Sequence, residues 1–182
     1  LCNRNCPKLF SSQFEMTQAI FSTSNFTRLD DDAIEELLEL AIRSPRGRAR
    51  FCLHRNHDDA LQEMVIALSR NAYIPPHRQL DKHKSYISLE GEIAVYFFDN
   101  HGTVREKLRM SPRNQSGQTV IRFPADRWHT VTSLTPASLY MELIPGPYIP
   151  EKTYYADWAP AEAEHERASE YLCSLRNIED IP

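Results

Sequence analysis

The stretch Ile74–Phe98, IPPHRQLDKHKSYISLEGEIAVYFF, and an answering segment, Phe123–Val131, FPADRWHTV, decide how this chain is read. The first carries His77, Gln79, His83 and Lys84 near its extended start, then Glu90-Gly91, then an apolar run. In that run Ile93, Val95 and Phe97 fall on one face and Ala94, Tyr96 and Phe98 on the other. A strand apolar on both faces is expected to be covered on both, by an arm or a second subunit on its outer side. The second segment begins in a proline turn and delivers Trp128 and His129 onto another strand. Two histidine-bearing strands roughly fifty residues apart are how a β-barrel assembles a small metal or ligand pocket from distant parts of its chain.

Working outward, Asp99-Asn100-His101-Gly102 is a hairpin turn, and Val104–Met110 returns as a more exposed strand. Ser111–Gln118 is a polar loop, and Thr119–Phe123, the Trp128 segment and Leu139–Ile144 complete an array of short strands. Upstream, Arg50–His54 alternates like a strand and Gln62–Ser69 is an apolar one. Two helices flank this array. Ile34, Leu37, Leu38 and Ala41 recur at helical spacing over Asp31–Arg43, with Asp32 and Glu35 as a capping pair. Ala168, Tyr171, Leu172 and Leu175 share one side of a helix expected over Ala161–Arg176. The organisation is therefore an N-terminal arm (1–28, with a strand around Phe14–Phe21), a β domain with its leading helix (29–160), and a C-terminal helix and tail (161–182).

Composition bounds the function classes. The chain has 182 residues, of which 41% are hydrophobic and 25% charged, with a net charge of −4. That is ordinary for one soluble domain, and no basic field draws it toward nucleic acid or membrane. It has neither a run long enough to span a bilayer nor the start of a secretory signal. Four scattered cysteines, Cys2, Cys6, Cys52 and Cys173, do not form a disulfide framework, so a reduced, cytoplasmic setting is expected. Arg43, Arg46, Arg48 and Arg50 place four guanidiniums within eight residues, either a grip for phosphate or carboxylate or a solvated turn. His54 and His57 before Asp58-Asp59 read as a metal-serving set or as a hydrogen-bonded polar loop.

Three blocks carry a family resemblance: SPRGRARFCLHRNHDDALQEMVIAL, YIPPHRQLDKHKSYISLEGEIAVYFFDNHG, and FPADRWHTVTSLTPASLYMELIPGPYIP with the later WAPAE. Over roughly Asp30–Glu162 the chain resembles the cupin superfamily, and within it the WbuC-like cupin metalloproteins. The resemblance implies an all-β, jelly-roll barrel with helices packed outside, often dimeric, opening on one divalent metal such as Zn, Fe, Ni or Mn. It also implies a link to bacterial surface-polysaccharide (O-antigen, lipopolysaccharide) biosynthesis and a sugar or sugar-nucleotide ligand. Carried over, His77 takes the first ligand place and His129 the last, while Gln79 replaces the second histidine and Lys84 the glutamate. His83 is a substitute third nitrogen. Three readings stay open. One is a metal-dependent cupin using His77, Gln79 or His83, and His129. Another is a metal-free, epimerase- or isomerase-like enzyme with His77 or His129 as base and Lys84 as acid or anion clamp. The last is a degenerate barrel serving as a binding or assembly module. Arg48, Arg50, Tyr86 and Trp128 are the candidate substrate contacts, and a homodimer without nucleic-acid or membrane partners is expected.

Overall fold

In the computed structural model, which describes residues 19–113 and 115–179, two sheets lie face to face with their apolar sides turned inward. In chain order the strands are β1 (Ala19–Phe21), β2 (Arg48–Cys52), β3 (Leu61–Ser69), β4 (His77–Gln79), β5 (Lys84–Glu90), β6 (Ile93–Phe98), β7 (Val104–Met110), β8 (Val120–Phe123), β9 (Trp128–Ser133), β10 (Ala137–Pro145) and β11 (Thr153–Tyr155). One sheet runs β1-β2-β3-β10-β5-β8 and the other β11-β4-β9-β6-β7. Apart from the parallel β1–β2 pair, the strand pairings are antiparallel. The eight strands β3 to β10 cross between sheets at almost every connection, giving 3-10-5-8 against 4-9-6-7, which is jelly-roll topology.

The expected barrel is not closed. β7 and β8 end their sheets on one side without a ladder between them, and β1 and β11 end them on the other. Such free edges invite pairing with other chains, and β7 counters this with Arg105, Glu106, Lys107 and Arg109. The architecture is therefore a two-sheet sandwich.

β6 is buried at all six positions, as its two apolar faces require. Ile93, Val95 and Phe97 join Tyr86, Phe123, Val131 and Tyr140 between the sheets. Ala94, Tyr96 and Phe98 meet Leu175, Tyr171 and Trp158 on the outside, so the covering element is the C-terminal helix of the same chain. Each such large apolar side chain contributes about 1.5–3 kcal/mol on burial. The hairpin after β6 turns at Gly102, whose φ of +84° suits glycine; a Cβ there would lie 2.7 Å from the Trp158 ring.

Helix α1 (Asp31–Arg43) lays Leu37 and Ala41 on the outer face of the six-stranded sheet, against Phe51, Val65 and Leu139. Its cap is Asp30, whose carboxylate accepts from the Ala33 N–H at 3.1 Å, and not the expected Asp32–Glu35 pair. Helix α2 spans His165–Arg176, starting four residues later than expected. The Glu164 carboxylate accepts from the Ala161 N–H and ties residues 161–164 into a turn that postpones the helix. Of the strand expected around Phe14–Phe21, Ala19–Phe21 is β1; the rest, with Cys2 and Cys6, lies outside the described residues.

Candidate functional site

The two histidines are brought together by strand register. β4 and β9 pair at a single position, His77 opposite His129, and β6 adds Phe97 on the far side of His129. Pro75 and Pro76 hold the chain extended as it enters β4. The imidazole centroids lie 4.4 Å apart. On the facing sheet, β5 turns Lys84 and Tyr86 inward, and β10 places Glu142 opposite Tyr86.

Hydrogen bonds to the main chain orient both imidazoles. His77 Nδ1–H donates to the Pro75 carbonyl at 3.1 Å and His129 Nδ1–H to the Arg127 carbonyl at 2.8 Å. Each ring therefore presents its Nε2 lone pair. Lys84 Nζ donates to His77 Nε2 at 3.3 Å and pairs with Glu142 Oε1 at 3.1 Å. His129 Nε2 is buried and has no partner among the described residues. The same holds for Gln79 Oε1, whose amide nitrogen donates to Thr153 Oγ1 at 3.1 Å.

Burial and the neighbouring Lys84 charge push His77 down to about 3, although the residue as a whole is only partly buried, because its ring is turned in against His129 and Lys84. His129 is driven well below the ordinary range by burial, then by Lys84 and His77. Both rings are therefore neutral at pH 7. The Tyr86 and Tyr140 hydroxyls are pushed well up by burial and by Glu142, so they are donors, not phenolates. The result is a closed cluster of two acceptor imidazoles, one ammonium, one carboxylate and two phenols, walled by Phe97 and Phe123.

These residues do not fit a divalent metal. Among the described residues no group of three or more His, Cys, Asp or Glu converges. His83 is exposed one residue before β5, on the side opposite the inward Lys84, so it does not supply the third nitrogen. Gln79 retains a free amide oxygen, but Lys84 already occupies the His77 lone pair. An ammonium about 4 Å from a divalent ion repels it by roughly 8 kcal/mol at an effective dielectric of 20.

The candidate substrate contacts separate. Tyr86 lies inside, 1% exposed. Trp128 does not line the interior: it neighbours His129 in sequence and so faces outward, packing on Trp158, under the Arg78 guanidinium and hydrogen-bonded to Asn100. Tyr96 and Phe98 also belong to that outer cluster. Arg48 is mostly buried and committed, donating to the Tyr73 carbonyl at 2.8 Å and pairing with Glu162 at 3.0 Å, while Arg46 pairs with the same carboxylate. Arg50 is partly buried on β2. His54 Nδ1 makes one hydrogen bond with the main chain of Glu63, accepting from its N–H or donating to its carbonyl according to tautomer, the polar-loop alternative. Glu142 was missed by sequence reasoning; its signal is the alternation Tyr140-Glu142-Ile144, which sets a carboxylate in an inward row.

Two clefts lie near these elements. The larger, about 830 Å³, is bounded by Ser24, His54, Arg55, Asp59 and Glu63 and holds none of the interior cluster. The smaller, about 270 Å³, opens between the free edges of β7 and β8, with Phe97 and Phe123 in its lining.

In comparisons with known proteins, a family profile, the domain of unknown function DUF6016, matches residues 29–110, less than half of the chain. No curated protein matches the sequence. Protein SO0799 from Shewanella oneidensis superposes with a TM-score of 0.56 at 11% identity, covering 85% of this chain and 100% of that one. The capsular polysaccharide assembling protein CapF from Staphylococcus aureus gives 0.48 at 15% identity, covering 62% of this chain and 32% of its own. KdgF from Halomonas sp. gives 0.43 at 21% identity, covering 60% of this chain and 87% of its own. CapF and KdgF are cupin-fold proteins, and this chain spans about a third of CapF. At 11% identity the likeness to SO0799 is one of fold.

Proposed function

We propose that this protein binds a small hydroxylated molecule of the sugar or sugar-nucleotide class inside a metal-free cupin-type sandwich, with the Lys84 ammonium standing where a metal would. The observation that carries this reading is the pair of buried, unpartnered acceptors, His129 Nε2 and Gln79 Oε1. A buried acceptor left unmade costs about 1–3 kcal/mol, which a ligand hydroxyl would recover. Ligand hydroxyls donate to such acceptors, and Lys84, shared between His77 and Glu142, donates to a ligand oxygen. The sugar class itself comes from the sequence resemblance to WbuC-like proteins. In an isomerase-type reaction His129 Nε2 would take the proton and Lys84 would stabilise the oxygen that gains charge.

The test is calorimetric titration of monosaccharides, sugar acids and sugar nucleotides into the wild type and into His129→Phe and Gln79→Leu. Both substitutions remove an unpaired buried acceptor at similar volume, together with one made hydrogen bond, from His129 Nδ1–H to the Arg127 carbonyl or from the Gln79 amide to Thr153. Stability should stay within about 2 kcal/mol while affinity for the bound sugar falls at least tenfold. Variants that lose stability heavily, with a wild type that binds no member of the panel, would make the histidines ordinary core residues.

A further inference from the structure

The interior cluster is closed, so a ligand needs a way in, and the 270 Å³ cleft between β7 and β8 is the place where the two sheets part. Its inner lining is Phe97 and Phe123, whose rings lie 6.4 and 4.9 Å from the His129 ring. Two side chains thus separate the cleft from the unpartnered Nε2. Its outer lining includes Arg122, Arg127 and Glu106. We propose that this cleft is the mouth of the site and that Arg122 and Arg127 bind a phosphate or pyrophosphate group of the ligand, whose hydroxylated ring reaches toward His129 once the Phe97 and Phe123 rings, packed edge to face at 5.1 Å, swing apart. The proposal rests on the interior-site reading above and narrows its ligand to a phosphorylated one.

Charge and availability support the assignment. Arg122 makes no ion pair among the described residues and is exposed on the edge strand β8, leaving the face opposite the inward Phe123 and reaching the cleft only around that edge. The Arg127 guanidinium sits over the Phe97 ring at 5.5 Å and reaches Glu106 only at 3.7 Å, with both side chains about half exposed. An exposed pair of that length contributes little and yields readily to a stronger anion. Two guanidiniums against one carboxylate leave the rim net positive, on a chain whose overall charge is −4. Guanidiniums bind phosphate oxygens in bidentate fashion, and one already stacked on an aromatic ring is held in place for that contact. Arg48, the sequence-based candidate for this role, is tied to Glu162 and Tyr73.

The test uses inorganic pyrophosphate and UDP-glucose as probes, followed by amide chemical-shift perturbation on the wild type and on the Arg122→Gln/Arg127→Gln double variant. Pyrophosphate should shift the Arg122, Phe123 and Arg127 amides, with an affinity that falls as salt rises. In the double variant that affinity should drop at least tenfold with the fold unchanged. UDP-glucose should perturb the same residues and His129 together. Pyrophosphate that shifts other residues, or binds the double variant equally well, overturns the cleft assignment. In that case, a sugar that still perturbs His129 leaves the interior-site reading standing. Cleft shifts with pyrophosphate and no perturbation of His129 by any sugar would refute the interior site and, with it, this cleft as its mouth.

Discussion

Lys84→Met removes the ammonium on which the interior cluster depends. The Lys84 and Glu142 side chains are 5% and 11% exposed and 3.1 Å apart, so solvent screening does little for either. Taking away one partner of such a pair strands the other charge in the interior, at a cost of about 3–5 kcal/mol. For a chain of this size each kcal/mol lowers the melting temperature by about 2–4 °C, so Lys84→Met should melt roughly 6–20 °C below the wild type. Glu142→Met should be destabilised to a similar degree. The double variant is the informative one, since it leaves no stranded charge and fills the space with apolar groups; it should be more stable than either single variant. The assay is urea denaturation at pH 7, comparing midpoints at constant m-value. Single-variant costs that simply add in the double variant, or a Lys84→Met cost under about 1 kcal/mol, would refute a buried, coupled pair.

Acid should destabilise the wild type through its histidines. His77 falls from an unfolded value near 6.5 to about 3 in the folded chain, so the unfolded chain binds more protons once the pH drops below about 6.5, and stability is lost as pH falls toward 3. Between pH 7 and 5 this amounts to about 2 kcal/mol from His77, and His129 shifts in the same direction. His77→Gln should visibly flatten the decline of the urea midpoint over that range, and an unchanged slope would count against a neutral, buried His77. Lys84→Glu should turn the cluster into a metal site, because a carboxylate would then join two Nε2 lone pairs while Glu142 repels it until a cation arrives. Its melting temperature should rise on adding Zn²⁺ or Mn²⁺ and the wild type's should not; equal responses would sink the argument that Lys84 is what excludes the metal.

What was legible in the sequence was local alternation. β6, the hairpin after it and the span of α1 follow from patterns contained within each segment, and all three stand where the residues put them, although Asp30 and not the Asp32–Glu35 pair caps α1. The same rule governs the site. Trp128 and His129 are consecutive on one strand and cannot share a face, and neither can His83 and Lys84, so each pair contains one inward residue. Glu142 is a different case. Alternation with Tyr140 and Ile144 turns it inward, but what it meets there, Tyr86 and Lys84, appears only in the β5–β10 register. Arg48 likewise depends on Glu162, 114 residues away. Whether the sheets closed into a barrel was not written in any segment, because closure depends on whether two edges pair.

Replacing a metal by a tethered ammonium changes what the cluster does as well as what it holds. A divalent ion offers open coordination positions and Lewis acidity; an ammonium offers one positive charge and three N–H donors, of which His77 and Glu142 engage two. With Glu142 present the pair is neutral overall, and the imidazoles stay unprotonated because burial and Lys84 both disfavour their charge. A ligand that sets an anionic or strongly polarised oxygen against Lys84 reverses part of that balance. It neutralises the charge that depresses the histidines and brings their proton affinity back toward the ordinary range. On this reading His129 is a poor base in the free protein and a better one in the complex. Proton transfer would then be available only once the ligand is seated, with Phe97 and Phe123 between it and solvent.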